Sequence, residues 1–313
     1  MKRKIISSII IFGTGFLIVL AYLFLSIVIP FLGLPNGKEI LDTIRYIIYV
    51  ICGLGILISF IYLAIKVVSE MKFQKYVIDE LNSFGFRENL HNDFVKRKEK
   101  YKVKNELVYL ESVNYLGIEK YSQADYQGVI DNFKEINIPD YYEKHKLDKG
   151  KAQLNHLIVI CNMIDLLLTS YYKLGNMEDK ADEIYPYLIK IHDTYITKYA
   201  NLDATIIESK FMYALIKKNY AEAKVLLDLE GSKKGLVDQI AYLTNSVEYE
   251  YVMGTLTLER LEEMKNNCEP IIAKTLTKEY YRQNLNRFYE NKLKALKGNT
   301  ESQVSSNNET SEA

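Results

Sequence analysis

Two long stretches without a charged side chain, Ile5 to Ile29 and Tyr46 to Ile65, constrain this chain more than any other feature. A helix rises ~1.5 Å per residue and a bilayer's hydrocarbon core is ~30 Å thick, so each run is long enough to cross it. Core helices of soluble proteins seldom carry so long a run without a charge. A cleaved leader is the competing reading of the first run, because Lys2, Arg3 and Lys4 make a positive start. Its apolar run, however, exceeds the ~7–15 residues of a leader and leaves through Ile29-Pro30-Phe31 rather than a small-residue cleavage pattern. The expectation is an anchor region, 1–68, holding a two-helix transmembrane hairpin with spans at 5–29 and 46–65.

Basic residues beside the spans set the expected orientation. Lys2, Arg3 and Lys4 precede the first span and Lys66, Lys72 and Lys75 follow the second, whereas only Lys38 and Arg45 lie between them. Short loops rich in Lys and Arg stay inside. This predicts a multi-pass protein of the cell membrane with both termini cytoplasmic and Pro30 to Thr43 as an external turn. Gly55 and Ser59 are four residues apart, a spacing that lets another backbone approach. That face serves either packing within the hairpin or a homo-oligomer through the spans. Neither span holds an acidic, His or Asn side chain from which an ion path is built, which argues against a channel or transporter core.

Charge separates the two parts of the chain. Six of the 40 basic and two of the 40 acidic residues fall in the first 68, which leaves the anchor four charges positive and the remainder four negative. A slightly acidic domain has no electrostatic drive toward nucleic acid. Cys52, Cys161 and Cys268 show no paired spacing, which fits a reduced compartment and argues against a disulfide framework or a zinc site. The preference for Lys, Ile, Asn and Tyr is typical of A/T-rich coding and points to a bacterial-type membrane.

Beyond the anchor the pattern is all-α. Residues 69–104 read as a juxtamembrane helix and connector, broken at Ser83-Phe84-Gly85-Phe86. From 105 to 297 apolar residues recur at helical spacing, as in Leu157, Ile160, Cys161, Ile164, Leu167, Leu168 and Tyr171. Gly298 is the expected end of the last helix, and the tail 298–313 has too few apolar residues to fold.

Three stretches share a pattern. The first has Val113-Asn-Tyr-Leu116-Gly117, then Asp125-Tyr126, Val129 and Phe133, closed by Pro139. The second has Tyr171-Tyr172-Lys173-Leu174-Gly175-Asn176, then Ala181, Tyr185 and Leu188. The third has Lys218-Asn219-Tyr220-Ala221-Glu222-Ala223, then Leu226-Leu227. Together they resemble degenerate tetratricopeptide repeats, helix–turn–helix units of ~34 residues in which small residues let paired helices approach and large ones fill the gap between pairs. Corresponding residues Val129, Ala181 and Ala223 are 52 and 42 apart, so the resemblance implies lengthened helices or loops. Residues 237–296 carry no recognisable unit, with Gly254 as a candidate turn.

No catalytic constellation emerges. The histidines, His91, His145, His156 and His192, share no helix face at metal-ligand spacing, and there is no phosphate loop, nucleophile elbow or kinase signature. No metal, cofactor or enzymatic activity is therefore expected. His156 sits on an apolar stripe and reads as a packed, hydrogen-bonded residue. Tyr171-Tyr172 and Tyr280-Tyr281 are candidate anchors among 26 tyrosines.

The resemblance implies a ligand groove along the first helix of each hairpin. On that face stand Asn114 and Tyr121 in the first unit, and Asn162, Asp165, Tyr172 and Lys173 in the second. With an acid at its centre, this face suits a segment bearing a basic or amide side chain and does not look like a basic clamp. The functional expectation is a membrane-anchored cytoplasmic scaffold, with the lipid bilayer and an unknown protein or peptide as partners. The alternative is an accessory subunit of a transport or secretion complex, with the spans making the main contact.

Overall fold

The computed structural model describes residues 22–24, 26–29, 36–147, 154–195, 197–199 and 202–309. Every regular element among them is a helix, as the periodicity predicts. The chain divides into two units, 1–76 and 77–313.

In the first unit, residues 22–24 and 26–29 are helical, and α1 begins at Gly37. The rest of the first expected span lies outside the described residues. α1 (Gly37–Ser83) has 47 residues, so Tyr46–Ile65 sits inside one unbroken helix that continues through Asn82, as predicted. Residues 38–43 are the first turns of this helix and not part of an irregular loop, because Glu39 and Asp42 favour the positive end of the helix dipole. Its apolar side chains are exposed: Ile58 is 65% and Tyr62 71% accessible. Arg45 Nε donates to the Tyr22 hydroxyl at 3.0 Å, linking the two helical segments of this unit.

Gly85, at φ +71°, ends the run after α1 and turns the chain into α2 (Glu88–Tyr101). The second unit continues with α3 (Glu106–Ser122), α4 (Tyr126–Phe133), α5 (Ile138–His145), α6 (Leu154–Leu174), α7 (Glu178–Tyr195), α8 (Leu202–Ile216), α9 (Tyr220–Gly231), α10 (Leu236–Val252), α11 (Leu258–Ile272) and α12 (Lys278–Glu309). The helix starts are written locally. Asp125 accepts from Gly128 N at 2.9 Å to cap α4, Asn137 caps α5 with Pro139 in its first turn, and Thr257 caps α11.

The three stretches singled out in the sequence each fold as a helical hairpin: α3–α4, α6–α7 and α8–α9. α10–α11 is a fourth, turning at Gly254 with φ +70°. Gly117 on α3 faces Phe133 on α4, and a Cβ there would overlap the ring. Gly175 serves differently: it has open space around it but φ +70°, so the turn needs its backbone freedom rather than its small size. α12 is helical through Gly298 to Glu309, past the end the apolar pattern predicts.

Two cores result. The larger is built from α3 to α9 around Val113, Phe133, Ile160, Leu168, Leu188 and Phe211. The smaller is built from α10 to α12 around Val247, Leu261, Met264, Cys268, Ile272 and Leu285. Residues on α3, α6 and α8 of the larger core face residues on α10 and α12 of the smaller across a shared void.

Candidate functional site

That void is a cavity of about 600 Å³, within the ~300–1,000 Å³ range of ligand sites. Tyr121 and Ser122 reach it from the end of α3, Tyr126 from the start of α4, and Asp165, Thr169, Tyr172 and Lys173 from one face of α6. α8 supplies Glu208 and Met212, and α10 supplies Asn245, Glu248 and Tyr251. α12 closes it with Tyr280, Tyr281, Asn284, Arg287, Phe288 and Lys292. The first helix of each of the four hairpins therefore contributes to the lining, and α12 lies against their shared face.

Of the residues expected from the sequence, Tyr121, Asp165, Tyr172 and Lys173 line the cavity. The spacing of 165, 169, 172 and 173 on α6 puts them on one face, because i, i+3 and i+4 neighbours stack along a helix. Asn114 and Asn162 are not brought to it. Asn114 is buried within α3, at 5% exposure, and its Oδ1 has no partner among the described residues. Asn162 shares the face of Asp165, three residues before it, but lies a turn beyond the lining and does not reach the cavity.

Lys173 belongs to a buried ion triad. Its Nζ meets Glu248 Oε2 at 2.7 Å, Lys292 Nζ meets Glu248 Oε1 at 2.8 Å, and the Tyr172 hydroxyl donates to Oε1 at 2.8 Å. Glu248 is 3% exposed. Burial alone would raise its carboxyl, but the charges and hydrogen bonds of Lys173 and Lys292 outweigh it and hold it at about 2. Lys292 is itself lowered by burial, against the pull of Glu248, and its ammonium sits 3.7 Å from the centre of the Tyr251 ring. The triad joins α6 to α10 and α12, so it ties the two cores across the cavity.

The opposite end of the cavity is acidic. Asp165 accepts from the Ser209 hydroxyl at 2.7 Å. Glu208 lines both the cavity and a side recess of about 70 Å³ that it shares with Glu230, Asp238 and Lys233. Burial pushes the Asp165 carboxyl well above the usual range. Glu208 is raised by burial and then by the nearby charges of Asp165, Glu230 and Asp238. Glu230 is pushed up to about 7 by burial, against two hydrogen bonds from Asn245 at 3.1 and 3.2 Å. No single helix spells out this pair of ends, one satisfied and one not.

Sequence reading missed Glu208, Glu248, Arg287 and Lys292. A signal existed for two of them: Glu248 follows the apolar stripe of Ile240 and Val247, and Lys292 continues that of Leu285, Phe288 and Leu296. A charge on an apolar stripe needs a buried partner, but nothing local says that each is the other's.

His156 is packed and hydrogen-bonded as expected, its Nδ1 to the Tyr141 hydroxyl, and burial followed by the nearby His145 lowers its pKa. Among the described residues no group of three His, Cys, Asp or Glu side chains is arranged to hold a metal. No protein-family model, curated protein or solved structure matches the chain.

Proposed function

We propose that this chain is a membrane-anchored helical scaffold whose cytoplasmic domain captures a segment of a protein or peptide in the cavity between its two cores. The observation that carries the reading is the cavity itself: about 600 Å³, walled by tyrosines, with a buried ion triad at one end and half-buried carboxyls at the other. Tyrosine gives large amphipathic contact area at low entropy cost, a composition shared with recognition surfaces. The likeness of α3–α4, α6–α7 and α8–α9 to tetratricopeptide hairpins supports the same reading, because such arrays bind along the face formed by their first helices.

Membrane attachment rests on α1, whose run without charge exposes its side chains, and on the Arg45–Tyr22 bond that brings a second apolar segment beside it. Binding is favoured over catalysis because the strongest polar groups are spent on each other in the triad. The thiols of Cys161 and Cys268 are raised by burial to about 12, so neither offers a thiolate nucleophile at neutral pH.

A photo-reactive benzoyl-phenylalanine placed at Tyr126, in the lining, should give a discrete adduct in native membranes. The same probe at Val225, 60% exposed on α9 and outside the lining, should not. Adducts of equal yield from both positions, or none from Tyr126, would overturn the cavity as the binding site.

A further inference from the structure

We propose that the acid end of the cavity receives one organic cation with N–H donors, a primary ammonium or a guanidinium. The group is presented either as a lysine or arginine side chain of a peptide or as a free amine. The inference rests on the cavity being the binding site and names what that site selects.

Hydrogen-bond supply and demand point to it. Asp165 on α6 receives one hydrogen bond, from Ser209. Glu208 on α8 has no hydrogen-bond or ion-pair partner among the described residues, although it lines the cavity. Asn284 on α12 has its Oδ1 buried with no partner among the described residues. Three acceptor groups on three helices thus line one void with a single donor between them. A buried acceptor without a donor is costly, and Asn284 Oδ1 is one, so a ligand whose N–H groups reach it and the two half-buried carboxyls beside it repairs the deficit.

The two ends of the cavity differ in this respect. Glu248 is satisfied by Lys173, Lys292 and Tyr172 together, whereas Asp165 and Glu208 are not. An anion is repelled from the acid end. A quaternary ammonium would gain the aromatic walls but donate nothing to Asn284 Oδ1. A hard metal ion takes at least ~6 oxygen ligands, and the described residues form no such group. Tyr280 and Tyr281 line the same cavity and give the cation and its alkyl stem aromatic neighbours.

Occupancy should expel a proton. The charged and titratable groups facing Asp165 and Glu208 are Tyr121 from α3, Cys161 from α6, Glu230 from α9, Asp238 from α10 and Tyr280 and Tyr281 from α12. Lys233 is confined to the side recess. With burial raising both carboxyls, and the Asp165 charge raising Glu208 further, the empty pair holds a proton on one of them near neutral pH. A cation between them favours both anions. The carboxylic O–H then gives its proton to buffer, and the ligand keeps its own. Binding should weaken as pH falls and protons compete for the pair.

The test is titration calorimetry on the full chain in detergent micelles. The probes are acetyl-Gly-Lys-Gly-amide, its neutral norleucine counterpart and 1,5-diaminopentane. A cationic probe should bind at least about tenfold tighter than the norleucine peptide, the scale of one charge-assisted hydrogen bond. Its heat should differ between buffers of different ionisation enthalpy, reporting proton release. Asp165→Asn and Glu208→Gln, each checked for an unchanged or raised Tm, should abolish both the preference and the buffer dependence. Tighter binding of the lysine peptide than of the diamine assigns the cation to a side chain, and the reverse order assigns it to a free amine; either supports the proposal. Equal binding of the lysine and norleucine peptides overturns the cation and leaves the cavity standing as the site. Binding of no probe, together with no adduct from Tyr126, overturns both.

Discussion

α1 and α6 are both long and apolar enough to cross a membrane, with mean hydropathy of 2.5 and 1.4 over their most apolar windows, yet their surroundings are opposite. None of the α1 window is buried, whereas 67% of the α6 window is. α6 is the central strut of the larger core, with Leu157, Ile160, Ile164 and Leu168 at 0% exposure. The difference lies in what interrupts the apolar run. α1 has nothing polar stronger than Ser59 between Tyr46 and Ile65, and that hydroxyl is satisfied by its own helix at Gly55 O. α6 carries Asp165, Tyr172 and Lys173 on one face, each with a partner on another helix. A bilayer offers no such partners, so the polar face of α6 selects a protein environment, whereas the surface of α1 makes no such demand, as the proposed membrane attachment requires.

The sharpest break of this comparison is one charge in each helix. Leu168→Asp should unfold the second unit, costing more than about 4 kcal/mol as an unpaired charge in a closed core. Ile56→Asp should leave the melting of that unit unchanged and reduce membrane retention instead. Loss of folding from both, read by circular dichroism and membrane fractionation, would mean that α1 is a buried core helix too. Single cysteines sharpen the same point. Gly37→Cys should react with an impermeant thiol reagent on intact cells, and Ser305→Cys only after lysis.

Next in size is the polar end of α6. Glu248→Ala leaves Lys173 and Lys292 facing each other in a buried site and should cost about 3–5 kcal/mol. Since Glu248 is held down to about 2, its contribution is present above its unfolded pKa near 4.5 and is lost only as pH falls toward 2. Equal acid sensitivity of wild type and variant in a melting series would remove the triad from the stability of the domain.

The hairpin glycines come third. Gly117→Leu drives a side chain into Phe133 and should cost about 1–3 kcal/mol. Gly175→Leu meets no neighbour and pays only for its left-handed backbone, about 1–2 kcal/mol. Thermal melts of the second unit should rank them in that order.

The smallest effect carries the opposite sign. Asp165, Glu208 and Glu230 have raised carboxyls, so folding takes up protons and stability falls as pH rises through neutrality. Asp165→Asn removes one of these ionisations and should raise stability at pH 8 by about 1 kcal/mol, the worth of less than one pKa unit. It should change little at pH 4. A wild-type Tm that climbs from pH 5 to pH 8 would contradict the acid end as described.

The hairpin turns were legible because each is a local matter: Gly85, Gly175 and Gly254 sit where φ is positive, and Asp125 caps the helix that follows it. The lining of α6 was legible for the same reason, since residues 165, 172 and 173 share a helix face. Asn114 and Asn162 failed because a helix face can be counted from sequence only relative to a neighbour whose position is still unknown.

By itself, then, the sequence determined that the chain is helical, where its helices turn, and which stretch carries no charge for the length of a bilayer. Those properties follow from periodicity, backbone conformation and composition, which act over a few residues. Only the tertiary structure decided that Lys173 meets Glu248 from 75 positions away and Lys292 from 44, and that Asp165 and Glu208 share a void in which no described residue pairs either of them with a cation. Charge pairing and its absence depend on distances across a cavity, and the order of residues along the chain does not set those distances until the helices have packed.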